Sequence, residues 1–203
     1  MLTFQKSITK EEVNKLPLQA FDGEIIMVDQ YEELYDAVQY LKKYPILGFD
    51  TETRPSFKKG RVNGVALLQL AANSKTFLFR LNRIGLPVEL TDLLGNPDIL
   101  KVGAAIKDDI RGLQKLNDFD ANGFLELQQY VSNFGIESFS LKKLSAIVLN
   151  FRISKRQQVS NWEAEVLSPG QLKYAATDAW VSYEIYQKLI SLNGNFNIIE
   201  NKY

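Results

Sequence analysis

Residues 46–53 read Ile-Leu-Gly-Phe-Asp-Thr-Glu-Thr, a short apolar run that ends in two acids one residue apart. Four apolar or small residues in a row, preceded by Pro45, fit a buried strand. Side chains alternate along a strand, so Asp50 and Glu52 project from one face at its end. Two carboxylates so placed repel unless they are protonated, solvated or bridged by a cation. A solvated strand end is the plain alternative.

Outward from this stretch, helix and strand signals alternate. Upstream, residues 7–14 fit a short leading helix, with Thr9 and Glu12 spaced as a capping box. Glu24–Val28 reads as a strand. Asp29 and Glu32 are spaced as a second capping box, ahead of Leu34, Tyr35, Val38 and Leu41 at helical spacing. Downstream, residues 62–71 and 76–79 read as two strands around a turn at Asn73-Ser74. Residues 86–94 read as a helix with Pro87 in its first turn. A strand is expected over 100–104 and a helix over 108–116. Residues 140–149 fit a helix capped by Ser140. The clearest helix starts at Ser168-Pro169 and runs to about Leu192, before Gly194. A hairpin run followed by alternating strands and helices predicts an α/β protein, a mixed β-sheet flanked by α-helices.

Length and composition bound the chemistry. A chain of 203 residues fits a single domain, with a core over about 24–190 and a short N-terminal extension, 1–23. It contains no cysteine and no histidine. Disulfides, zinc ribbons, cysteine nucleophiles and histidine bases are therefore excluded. Carboxylates, tyrosine, lysine or bound ions must carry any catalysis, and oxygen ligands suit hard ions such as Mg²⁺ and Mn²⁺. No apolar run resembles a signal peptide or a membrane span, so a cytoplasmic protein without membrane contact is the expectation. Zero formal charge gives no reason to expect wholesale wrapping of nucleic acid, though it allows a local basic groove.

Two further acidic stretches stand out. In Tyr174-Ala175-Ala176-Thr177-Asp178, positions i and i+4 share a helix face, so Tyr174 and Asp178 point together. Alone, this is a core tyrosine beside a surface acid. Asp108-Asp109 follows the segment 102–106 at a helix start, where acids also favour the helix dipole.

Taken together, three segments resemble the DEDDy-type 3′–5′ exonucleases of the DnaQ-like superfamily. That superfamily includes ribonuclease D, the exonuclease domain of the Werner syndrome helicase and the proofreading domain of bacterial DNA polymerase I. The segments are residues 46–53, Lys101-Val102-Gly103-Ala104-Ala105-Ile106-Lys107-Asp108-Asp109, and Tyr174-Ala175-Ala176-Thr177-Asp178-Ala179. Ser160-Asn161-Trp162, followed by residues 172–178, is similar to the Werner and ribonuclease D subgroup. The resemblance covers roughly residues 24–189. It implies a ribonuclease H-like fold and a site of Asp50, Glu52, Asp109, Asp178 and Tyr174. The second motif is ambiguous by one residue, and counting from Lys101-Val102-Gly103 favours Asp109 over Asp108.

The resemblance also implies two Mg²⁺ or Mn²⁺ ions, which would neutralise the phosphodiester and stabilise the attacking and leaving oxygens. Asp50 would bridge both ions. Glu52 and Asp178 would hold one, Asp109 would help position the other, and Tyr174 would orient the attacking water. The substrate implied is a nucleic-acid 3′ end, single-stranded DNA or RNA. Between Ser138 and Trp162 lie Lys142, Lys143, Arg152, Lys155 and Arg156 with no acid, and Lys58, Lys59 and Arg61 form a second basic group. These could hold phosphates, or be ordinary surface loops. Phe57 and Trp162 could stack on bases, although Trp162 also suits packing against the last helix. The sequence runs 25 residues past Asp178 (178 to 203), too few for a helicase, polymerase or helical nucleic-acid-binding domain. Grip is therefore expected from this domain or from a partner.

Overall fold

The computed structural model describes residues 4–56, 60 and 63–192. Lys58, Lys59, Arg61 and Phe57 lie outside those residues, as does the expected strand start at Val62.

The elements are α1 (Lys10–Lys15), β1 (Glu24–Val28), α2 (Leu34–Leu41), β2 (Ile46–Thr53), β3 (Val65–Ala72), β4 (Lys75–Phe79), α3 (Leu81–Ile84), α4 (Val88–Gly95), β5 (Leu100–Gly103), α5 (Lys107–Gln114), β6 (Phe124–Glu126), α6 (Leu127–Tyr130), α7 (Leu141–Leu144) and α8 (Pro169–Leu192). The six strands form one mixed sheet in the order β1-β4-β3-β2-β5-β6. β2, β3 and β4 pair antiparallel, while β5 runs parallel to β2, β6 to β5 and β1 to β4. Asn73, at φ 54, makes the tight β3–β4 turn.

Strand alternation sorts the side chains into two apolar layers. Leu47, Phe49, Leu68, Leu70, Phe77 and Phe79 pack on one face with residues of α2, α4 and α5. On the other face α8 lies over the sheet. Val181, Ile185 and Leu189 pack there with Val102 and Leu144, and Tyr174 and Ala175 with Leu67 and Leu78. β3 is buried at every position because both faces are covered.

α8 opens with a capping box. Ser168 N–H donates to Gln171 Oε1 at 3.0 Å, and Gln171 N–H donates to Ser168 Oγ at 3.3 Å. A Cβ built on Gly48 would lie 2.0 Å from the Ala179 carbonyl oxygen. Helix backbone therefore rests directly on strand backbone, which only glycine at 48 permits.

Several expectations are corrected. The cap at Asp29 is not closed by Glu32. Asp29 N–H donates to Glu33 Oε2 at 3.2 Å, and a 3-10 turn over Tyr31–Glu33 precedes α2. The helix expected over 140–149 is one α-turn followed by a wider π-helical turn, Ser145–Leu149, which ends at Asn150 with φ 59. Described residues before Glu24 also reach into the core. Ile8 and Val13 are buried in the α8-side layer, and the Phe21 ring lies 5.9 Å from Trp180. Arg152 N–H donates to Pro17 O, Gln19 N–H to Arg152 O, and Phe21 N–H to Thr177 Oγ1 at 3.0 Å.

Candidate active site

The parallel strands β2 and β5 end side by side, and their C-terminal ends form the floor of a cleft of about 210 Å³. Asp50 and Glu52 rise from β2 on the face that α8 covers. Tyr174 and Asp178, one helical turn apart on α8, meet them from above. One oxygen from each of Asp50, Glu52 and Asp178 lies within 4.8 Å of the others. Asp178 and Tyr174 are buried, and Asp178 Oδ1 has no hydrogen-bond partner. The Gly48–Ala179 contact, two residues before Asp50 on β2 and one after Asp178 on α8, sets how closely α8 approaches β2.

Asp109 arrives from the other face. It sits in the first turn of α5, and its Oδ1 accepts a hydrogen bond from Thr51 Oγ1 at 2.5 Å. Thr51 lies between Asp50 and Glu52 on β2, so the odd face of the strand ties Asp109 to the acids on the even face. Asp108 diverges: it is exposed and pairs with Arg111 at 3.4 Å. The turn that aims α5 passes through Ala105, held at φ 63. Glu126 at the end of β6 stabilises it, accepting N–H bonds from Ala105 at 2.9 Å and Ile106 at 2.8 Å. A non-glycine residue in that region is strained unless its surroundings hold it.

The electrostatics follow from burial and crowding. Burial, then repulsion from Asp178, Glu52 and Asp109, pushes Asp50 well above the usual carboxylate range. Glu52 rises to about 9, chiefly by burial and then by Asp178 and Asp109. Burial raises Asp109 to about 6, against the opposing Thr51 hydrogen bond. Burial takes Asp178 to about 7, opposed by its hydrogen bond with Tyr174 and by Lys155. Burial, then Asp178 and Glu52, raises the Tyr174 phenol, which stays protonated at neutral pH.

Among the described residues, none of these four carboxylates forms an ion pair. Converging acids with no cationic side chain paired to them, one with a buried unpartnered oxygen, form a donor set that fits hard divalent cations.

The other expected contacts divide. Lys142 and Lys155 line the cleft. Arg156 is exposed nearby. Arg152 is taken up by the fold, its Nε donating to Leu16 O at 3.0 Å. Trp162 is fully buried and packs on Tyr174 at 6.0 Å, so it is closed to a stacking base. Thr51 and Glu126 were not singled out from the sequence. Thr51 sits inside the quoted motif, whereas nothing near Glu126 marks it.

The profile of a 3′–5′ exonuclease family matches residues 25–192. The chain is 34% identical over 201 residues to the bifunctional 3′–5′ exonuclease/ATP-dependent helicase WRN of Mus musculus, covering 93% of this chain and 14% of that protein. It is 36% identical over 160 residues to the exonuclease 3′–5′ domain-containing protein 2 of Drosophila melanogaster, covering 77% and 27%. Among solved structures, the Nibbler EXO domain of Aedes aegypti superposes with a TM-score of 0.76 at 25% identity, covering 85% of this chain and 91% of that one. Escherichia coli RNase D superposes with a TM-score of 0.74 at 19% identity, covering 83% and 44%, and speaks to the ribonuclease H-like fold alone. The chain thus spans well under a third of either sequence relative.

Proposed function

The chain belongs to the 3′–5′ exonuclease family, and on that premise we propose that it hydrolyses the terminal phosphodiester at the 3′ end of a single-stranded nucleic acid, DNA or RNA. The observation that carries the reading is the meeting of Asp50, Glu52 and Asp178 oxygens within 4.8 Å beside Tyr174.

Asp50, Glu52 and Asp178, with Asp109 behind Thr51, would hold two divalent ions, Mg²⁺ or Mn²⁺. Such ions supply charge neutralisation at the phosphoryl group and lower the pKa of water. The chain's own residues do the positioning. Tyr174 keeps its proton at neutral pH, so it orients the attacking water and does not remove its proton. Lys142 and Lys155 on the cleft wall hold phosphate oxygens of the incoming strand. Water adds to phosphorus and the bond to the 3′ oxygen breaks. A nucleoside 5′-monophosphate and a strand one nucleotide shorter, with a free 3′ hydroxyl, result. The burial that raises the carboxylate pKa values also excludes bulk water, which strengthens charge interactions in the cleft.

The test is digestion of matched 5′-labelled DNA and RNA single strands with Mg²⁺, Mn²⁺ or EDTA. Stepwise shortening of the labelled strand, abolished by EDTA, is the expected result. Release of label as a mononucleotide at the first time points would reverse the polarity. Binding without cleavage would leave a non-catalytic module.

A further inference from the structure

β3 reads Val-Ala-Leu-Leu-Gln-Leu-Ala-Ala, and Gln69 within it is fully buried. Neither its amide nitrogen nor its carbonyl oxygen has a hydrogen-bond partner. Buried carboxamides are nearly always satisfied, and leaving one unpaired destabilises the fold. A leucine would suit this strand better if packing were its only task.

The register shows what Gln69 is near. It pairs directly with Asp50 across the antiparallel β2–β3 ladder. Opposed residues of an antiparallel pair project to the same face, close enough to interact. That is the α8 face, where Leu67 and Leu78, the neighbours of Gln69 along and across the sheet, pack against Trp162 and Tyr174. Asp178 Oδ1 and Trp162 Nε1, also buried and unpartnered, lie in the same layer.

A carboxylate oxygen that faces a cation keeps further acceptor positions on its other side. A neutral amide can fill one of these without cancelling the charge that attracts the cation, as lysine would. We propose that Gln69 is a positioning residue for Asp50. Its carboxamide N–H reaches the Asp50 carboxylate across the rung through one buried water. It thereby fixes the orientation in which the acid cluster holds divalent ions. This inference rests on the exonuclease reading above.

The test uses Gln69→Leu, which fills the same space without polar atoms, and Mn²⁺ titration by calorimetry alongside turnover. Thr76→Val is the control, because Thr76 Oγ1 is also buried and unpartnered but pairs with Ala71, two residues beyond Gln69. Gln69→Leu is expected to melt no lower than wild type, to bind Mn²⁺ about 10–100-fold more weakly, and to lose turnover with KM for the labelled strand unchanged. Thr76→Val is expected to keep wild-type Mn²⁺ affinity. Unchanged Mn²⁺ affinity and turnover in Gln69→Leu would overturn the proposal, as would equal weakening in Thr76→Val. If leucine disrupts folding, the unbranched Gln69→Met decides by the same readouts. Failure of both to fold would assign Gln69 to packing and overturn it. A wild-type protein that binds no Mn²⁺ would remove the exonuclease reading itself, a result distinct from any of these.

Discussion

Replacing Asp109 by asparagine keeps the oxygen that accepts from Thr51 and removes only the charge. In the folded, metal-free protein Asp109 titrates at about 6, whereas an unfolded aspartate titrates at about 3.9. A carboxylate whose folded pKa is raised supports folding below its unfolded pKa. That support is lost as pH climbs from about 4 to about 6. Linkage then puts the cost of ionised Asp109 at about 3 kcal/mol at pH 7 and about 0.5 kcal/mol at pH 4, as upper bounds. At about 2–4 °C per kcal/mol for a chain of this size, Asp109→Asn should melt up to about 10 °C above wild type at pH 7 in EDTA. At pH 4 the gain should be about 1–2 °C. Mn²⁺ at a thousandfold excess over Kd should reverse the order, because an ion that binds only the native state then adds about 4.1 kcal/mol. Wild type should gain this fully and the variant much less. The assay is thermal unfolding at both pH values, with EDTA and with Mn²⁺. Exposed Asp108→Asn, expected to change stability by less than about 0.5 kcal/mol, is the comparison. A variant no more stable than wild type at pH 7 without metal, or Mn²⁺ shifts equal in both proteins, would refute the reasoning.

Tyr174→Phe should lower turnover about 10²-fold while Mn²⁺ affinity and strand binding persist; single-turnover digestion checks it, and normal turnover would make Tyr174 a packing residue. Gly48→Ala drives a methyl against the Ala179 carbonyl, so it should destabilise by about 3 kcal/mol and weaken Mn²⁺ binding by lifting Asp178 from Asp50; denaturant unfolding and metal titration measure both. Lys155→Met should raise the Kd for a labelled strand and reduce the slope of log affinity against log salt by about 1, with saturated turnover little changed; an unaltered slope would remove Lys155 from the phosphate contacts.

Much of the architecture could be read from local pattern, because the deciding elements carry strong ones. An apolar run ending in Asp50 and Glu52 yields a strand with both acids on one face. Ser168-Pro169 yields the start of α8, whose turn spacing brings Tyr174 and Asp178 together. Elsewhere the information is not local. β6 has three residues, too few for any periodicity, and exists because β5 offers it an edge. Glu126 matters only because folding carries its carboxylate to the Ala105 turn, 21 residues back in the chain. The residues before Glu24 read as peripheral since their burial depends on α8 and on the strip around Arg152, both distant in sequence. In the sequence counting alone separates Asp109 from Asp108, whereas in the fold Asp109 accepts from the Thr51 hydroxyl and Asp108 is exposed beside Arg111. The basic loop shows the opposite outcome. Charge counting treated Arg152 and Lys155 alike, yet one is engaged by the N-terminal segment and the other faces the cleft.

The same N-terminal segment lies on the mechanical path from the amino end to the cleft. From Lys6, whose carbonyl accepts from Glu137, the chain passes Pro17 and Gln19 on either side of Arg152 and ends at the Phe21–Thr177 bond. Tension applied at the amino end is therefore borne first at the Lys6–Glu137 bond and then by the strip around Arg152 that leads to Lys155. It is borne next by α8, one residue short of Asp178. A surface tether or a fused cargo at that end is in series with the acid cluster, while one joined after α8 pulls from the far end of a 24-residue helix.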